Sequence, residues 1–165
     1  MTHRTAVVLF NLGGPDSLAA VRPFLYNLFS DPDIFKFPLG ALTQKLFAWL
    51  IATRRTSEAT KGYAALGGKS PLLENTQRQA RALTQALATD GPFEIFVCMR
   101  YWHPRAAEVV TELKRRGFEH VVLLPLYPQY SLTTSGSSYN EFQRECGRAG
   151  YRPQIAFIRQ WFEQP

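Results

Sequence analysis

Three short segments concentrate the side chains suited to chemistry. Arg100-Tyr101-Trp102-His103-Pro104 places a cation and three aromatic rings directly after an apolar run. Arginine grips a carboxylate through two parallel N–H donors, and tyrosine and tryptophan stack on flat ligands. A core aromatic pair beside one surface arginine accounts for the same residues equally well. Leu126 to Ser138 mixes serines and threonines with aromatics ahead of a helix. Hydroxyls and the free amides of a helix start form an anion site, and plain helix capping explains them too. Asn11-Leu12-Gly13-Gly14-Pro15-Asp16 is a turn between strand and helix where backbone can approach a ligand closely. It has neither the third glycine of a dinucleotide fingerprint nor the GK[ST] of a phosphate loop.

Other chemistries find less support. His3, His103 and His120 stand at no metal-ligand spacing from a cysteine or carboxylate, and no HExxH occurs. No serine sits in GxSxG. Cys98 and Cys146 are far apart and outside any CxxC, as expected of two buried thiols in a reducing compartment.

An alternation of strands and helices must position these segments. Ala6–Phe10 is a continuous apolar run, as suits a strand covered on both faces. Asp16 or Ser17 can cap the next helix, whose apolar face is Val21, Phe24, Leu25, Leu28 and Phe29. Residues 30–38 read as a loop. Leu39–Ile51 and Thr56–Leu66 read as two helices, the second stopped by Gly67-Gly68. Pro71 opens a helix with Leu73, Thr76, Ala80, Leu83 and Leu87 on one stripe. Phe93–Met99 is a second strand, Pro104–Arg116 a helix ended by Gly117, and Val121–Leu124 a third strand. Ser135–Cys146 is a helix and Gln154–Ile158 a fourth strand. This order predicts one α/β domain, a doubly wound four-stranded parallel sheet flanked by helices. Ligands of such sheets sit beyond the carboxyl ends of the strands, where the three segments fall.

The chain has 165 residues, enough for one domain with a real core, and charged residues make up 19%. That excludes a disordered tail or a coiled coil. With 19 Lys+Arg against 13 Asp+Glu the net charge is +6, which favours an acidic partner: a carboxylate ligand, an anionic membrane or nucleic acid. The basic residues are scattered and no RNP or zinc motif appears, so nucleic acid is the least supported of these. Ala6–Phe10 is too short for a secretory core, and no stretch nears the ~18 apolar residues of a membrane span. A cytoplasmic location is expected. Phe37–Ile51, apolar with Lys36, Lys45, Arg54 and Arg55 around it, reads either as a core helix or as a peripheral contact with a membrane surface.

Five segments in order resemble the ferrochelatase family: Leu9–Asp16, Thr53-Arg54-Arg55-Thr56, Gly67-Gly68-Lys69-Ser70-Pro71, Met99–Pro104, and Leu126–Ser131 with Thr134–Ser138. The resemblance implies insertion of Fe²⁺ into protoporphyrin IX in a cleft between two similar doubly wound lobes, of which this chain matches the first. By matched position, the porphyrin-contacting set is Leu12, Arg55, Tyr63, Ser70, Arg100, Tyr101, Tyr127, Ser131 and Thr134. Arg55 pairs with a propionate, and Arg100 and Tyr101 lie along the iron path. Leu12 replaces the Tyr or Met of some members and cannot ligate a metal. Leu132 stands where some relatives carry a cysteine of an iron–sulfur cluster, so no cluster is expected there and no resident cofactor is implied.

The family's catalytic His, in a Ser-x-His-x-x-Pro motif, and its partner Glu belong to the second lobe, beyond Pro165. As a truncated ferrochelatase, the chain is therefore expected to supply one wall of the cleft, to be inactive alone, and to self-associate through an exposed cleft face. Single-lobe homodimeric chelatases carry a histidine after the first strand, where this sequence has Asn11-Leu12-Gly13-Gly14. Alternative readings are a non-enzymatic porphyrin- or haem-binding module, a coproporphyrin ferrochelatase, and a basic nucleic-acid-binding domain.

Overall fold

The computed structural model describes residues 4–35 and 40–163. Among them, strands β1 (Thr5–Asn11), β2 (Phe93–Met99), β3 (His120–Pro125) and β4 (Gln154–Phe157) form one sheet in the order β2-β1-β3-β4. Every pairing is parallel. The connections run through helices α1 (Val21–Phe29), α2 (Ala41–Ala65), α3 (Leu72–Ala86), α4 (Ala106–Arg115) and α5 (Ser137–Ala149). The doubly wound parallel sheet expected from the alternation is the one observed.

Central β1 is paired on both sides and buried throughout its apolar run, as its lack of polar alternation requires. Ala6, Val8 and Phe10 point to the face covered by α4 and α5, where Phe142 meets Phe10 edge-on at 5.8 Å between ring centroids. Ala106, Val109, Val110 and Leu113 make the buried stripe of α4, spaced as one helix face demands. Helix α3 packs against β2 and β1 on the other face, with Thr76 fully buried. The Thr76 hydroxyl donates to Leu72 O and accepts from Asn11 Nδ2 at 3.0 Å, so burial leaves it satisfied. A second apolar cluster joins α1 and α2 through Val21, Phe24, Leu25 and Ala52.

Three local expectations differ from the structure. Asp16 and Ser17 do not cap α1: the Ser17 hydroxyl donates to Asp16, and the helix begins at Val21 with Pro23 in its first turn, where no N–H is needed. Leu39–Ile51 and Thr56–Leu66 are not two helices. From Ala41 to Ala65 they form one helix, because the intervening Thr53-Arg54-Arg55-Thr56 holds no stop signal. Thr53 and Thr56 turn their hydroxyls back onto Trp49 O and Ala52 O inside the same helix. Third, a π turn at Leu132–Gly136 precedes α5 and shifts its start to Ser137. His3, and the Phe37–Leu39 part of the membrane-contact stretch, lie outside the described residues. No described helix is long and apolar enough to cross a membrane.

Two glycines test this geometry. Gly62 lies inside α2 with open space where a Cβ would stand. Gly62→Ala is expected to raise stability by about 0.5–1 kcal/mol in urea unfolding. A Cβ on Gly14 would stand 2.5 Å from Ser70 Cβ, too close for any rotamer to relieve. Gly14→Ala is expected to cost about 1–3 kcal/mol in the same measurement.

Candidate functional site

Backbone pairing continues past the strand ends and gathers three loops. Leu126 N donates to Phe10 O, Arg100 N to Asn11 O, and Tyr101 N to Leu12 O, at 2.8 to 3.0 Å. The turn after β1 therefore lies between the segments that follow β2 and β3. In the order β2-β1-β3-β4 the chain changes direction between β1 and β3, and the crevice of a doubly wound sheet opens at that switch point. Gly13, at φ 82°, lets the turn pass 3.0 Å from Trp102 N, measured from where a Cβ would be. Ser70 closes the other side by donating its N–H to Pro15 O at 2.8 Å, while its Oγ accepts from Leu72 N at the start of α3.

Leu12, Tyr63 and Trp102 pack, half-buried, on the apolar cluster that holds Tyr101. Burial pushes the Tyr63 phenol above its ordinary value. Tyr127 follows β3, and its hydroxyl is buried without a partner. Burial also raises its pKa, against the nearby charge of Arg100. Of the five unpartnered buried side-chain polar atoms among the described residues, four are Trp102 Nε1, Tyr127 OH, Ser135 Oγ and Ser138 Oγ. All four come from the segments after β2 and β3. Such groups normally find a ligand or an ordered water. Ser131 caps the π turn through Thr133 N, and Thr134 follows within that turn.

Arg55 sits on α2 in the stripe of Ala48, Ala52, Ala59 and Tyr63, which faces inward except at Arg55 itself. Among the described residues its guanidinium makes no hydrogen bond or ion pair. No described contact joins it to Tyr127, Ser131 or Thr134.

Arg100 is the opposite case. Its guanidinium is buried, with Nη2 ion-paired to Asp31 Oδ2 (2.8 Å), Nη1 ion-paired to Glu141 Oε2 (2.9 Å) and Nε donating a hydrogen bond to Ser137 Oγ (2.6 Å). Tyr101 OH and Ser137 OH both donate to the same Asp31 Oδ2, at 2.6 and 2.5 Å. Asp31 Oδ1 accepts from Asp33 N, and Glu141 Oε1 from Arg105 Nη2. Two carboxylates thus face two guanidiniums with no net charge. Burial alone would raise the Asp31 pKa. Hydrogen bonds from Ser137 and Tyr101, the Arg100 charge and the Asp33 amide outweigh it and hold the carboxyl below its usual range. Burial first, and the adjacent Asp31 second, keep the Tyr101 phenol protonated far above its ordinary value. A cavity of about 360 Å³ lined by Arg105, Glu141, Arg144 and Arg148 reaches Asp31 and Arg100 from the α5 side.

Asp31, Glu141 and Arg105 do not stand out in the sequence, whereas Ser137 falls in the Thr134–Ser138 segment. Glu141 alone carries a usable signal, a carboxylate on the inward stripe of α5 beside Phe142, which demands an inward cation. No group of three or more His, Cys, Asp or Glu placed to hold a metal occurs among the described residues. Cys98 and Cys146 are free and buried, and burial raises both thiols, Cys146 to about 11.

Fold and crevice together define a doubly wound α/β lobe with a crevice at the carboxyl edge of the sheet, where ligands of such sheets bind. The ferrochelatase family model matches residues 4–165, and the chain belongs to that family. Ferrochelatases similar to it include those of Gloeobacter violaceus (48% identical over 162 residues), Geotalea daltonii (46% over 165) and Aquifex aeolicus (52% over 141). These alignments cover 96%, 100% and 86% of this chain, but 49%, 51% and 44% of the relatives. The chain spans about half the length of the curated relatives it matches.

The buried charges set an acid limit. Because the Asp31 pKa is lower folded than unfolded, its stabilisation is present above about pH 4 and is lost as pH falls through the folded value. Asp31→Asn is expected to cost about 3–5 kcal/mol at pH 7, by leaving the buried cluster with an uncompensated positive charge, and to flatten the acid limb of stability against pH. Urea unfolding from pH 7 to pH 3 checks both.

Proposed function

We propose that this chain forms one wall of the porphyrin cleft of a ferrochelatase, which inserts Fe²⁺ into protoporphyrin IX. The observation that carries this reading is the contrast between two arginines. Arg55 is exposed with an uncommitted guanidinium, free for a propionate, whereas Arg100 is spent on protein carboxylates. Leu12, Tyr63 and Trp102 offer an apolar and aromatic surface for the macrocycle. Ser70, Tyr127, Ser131 and Thr134 supply hydroxyls around it. Porphyrin and ferrous iron are the substrates, with no resident cofactor and no cluster at Leu132.

Proton removal from the pyrrole nitrogens needs a base. His103 is 61% exposed and bound to Glu108, and His120 opens β3 at the amino edge of the sheet, away from the crevice. Neither described histidine is thus placed as that base, and the chain is proposed to bind porphyrin without turning it over, the base belonging to a second lobe. Absorbance and fluorescence titration of the chain with protoporphyrin should show saturable binding. Loss of one charge-assisted contact in Arg55→Ala should weaken it about tenfold or more. Fe²⁺ or Zn²⁺ insertion should stay at background. Binding indifferent to Arg55→Ala, or rapid insertion by the chain, would overturn this reading.

The reading includes a cytoplasmic, peripheral membrane location. Leu46, Trp49 and Leu50 project from one side of α2, 61%, 47% and 47% exposed, with Lys45 and Arg54 nearby. Exposed Leu66 and Leu132 support self-association along the rim of the crevice. The chain should float with anionic vesicles, and Trp49→Glu with Leu50→Glu should abolish flotation. No association of the wild-type chain would remove the membrane contact.

A further inference from the structure

Asp31 lies in the turn after α1, outside every segment compared with the family's porphyrin contacts. Its Oδ2 nevertheless has three partners: it is ion-paired with Arg100 and accepts hydrogen bonds from Tyr101, both in the loop after β2, and from Ser137 in the first turn of α5. Its Oδ1 is fixed by Asp33 N, and Ile34 and Phe35 donate back to Asp31 O, so the carboxylate cannot swing away. From the same α1 side, Asn27 Nδ2 donates to Tyr101 O. The loop after β2 and the π turn leading into α5 are two walls of the crevice. Both reach this anchor, and Arg100 also ties the loop after β2 directly to Ser137 and Glu141 of α5.

We infer that Asp31 is a positioning residue that keeps the Arg100 guanidinium turned inward and holds both crevice walls in register, so that Arg100 acts on the porphyrin through shape and not as a carboxylate ligand. This rests on the cleft reading above. Two consequences separate it from a direct ligand role. First, disturbing Asp31 must weaken neutral and dianionic porphyrins alike, because the defect is in the walls. Second, Arg100 must be immobile before any ligand arrives. A guanidinium held at Nε, Nη1 and Nη2 rotates slowly and gives separate Nη signals in side-chain nitrogen NMR, whereas Arg55 should give averaged ones.

The experiment titrates protoporphyrin and its dimethyl ester into the wild-type chain, Arg55→Ala, Asp31→Asn and the milder Tyr101→Phe, and records the arginine side-chain spectra of each. Asp31→Asn is expected to lower both affinities by a similar factor, about tenfold, and to merge the Arg100 signals. Tyr101→Phe, which removes one donor and keeps the ring, should lower both by less and leave the Arg100 signals separate. Arg55→Ala should lower the diacid alone. If Asp31→Asn and Tyr101→Phe lower only the diacid, or change neither affinity, the inference fails. Averaged Arg100 signals in the free wild-type chain would overturn it directly. A wild-type chain that binds neither porphyrin overturns the cleft reading instead, and the arginine spectra then decide the Asp31 lock alone.

Discussion

Three consecutive carbonyls at the end of β1, those of Phe10, Asn11 and Leu12, hold the crevice together. In a regular parallel strand successive carbonyls alternate between neighbours. Here Asn11 and Leu12 both accept from the β2 side, and the Leu12 amide takes the Asn11 side chain as its own acceptor. The backbone leaves the ladder without orphaning a donor. That departure lets Gly13 and Gly14 slip between Trp102 and Ser70, and it sets where every later loop can lie.

On this scaffold the buried ions do a different job from the hydrophobic core. Desolvating Arg100, Asp31 and Glu141 is costly, and well-packed apolar residues would often be at least as stable. What apolar residues would not supply is direction. A planar guanidinium between two carboxylates and a serine accepts only one arrangement of the loop after β2, the turn after α1 and the start of α5. Arg105, reaching Glu141 from the start of α4, adds a fourth segment. The cluster trades some stability for a unique relation among the segments it joins.

Legibility in the sequence followed the range of the interaction. Strands and the stripes of α1 and α3 were readable because burial imposes a local period, seen in the run Ala6–Phe10 and the spacing from Leu73 to Leu87. The Thr53–Thr56 junction misled because exposed threonines and arginines resemble a break, while their hydroxyls are satisfied within one helix. Arg55 is singled out by resemblance alone, and it is the exposed member of an otherwise inward-facing stripe of α2. Asp31 was not visible, since its partners Tyr101 and Ser137 stand 70 and 106 positions away. An aspartate beside a proline in a short turn looks like ordinary turn chemistry until the fold brings those partners in.

The parallel pairing of β1 also dictates an order of events during folding. Thr5 pairs with Phe93 and with His120, so the central strand has no partner until the helices between them have been made. The α1–α2 pair, close in sequence, can form early around Val21, Phe24 and Ala52, and holds Asp31 in its connecting turn. Tyr101 and Ser137 stand 70 and 106 positions from Asp31, so their contacts with it close long loops. Loop-closure entropy makes such non-local pairing slow. The crevice, which needs all of these segments at once, is the part of the molecule that matures last and is most exposed to misassembly while it waits.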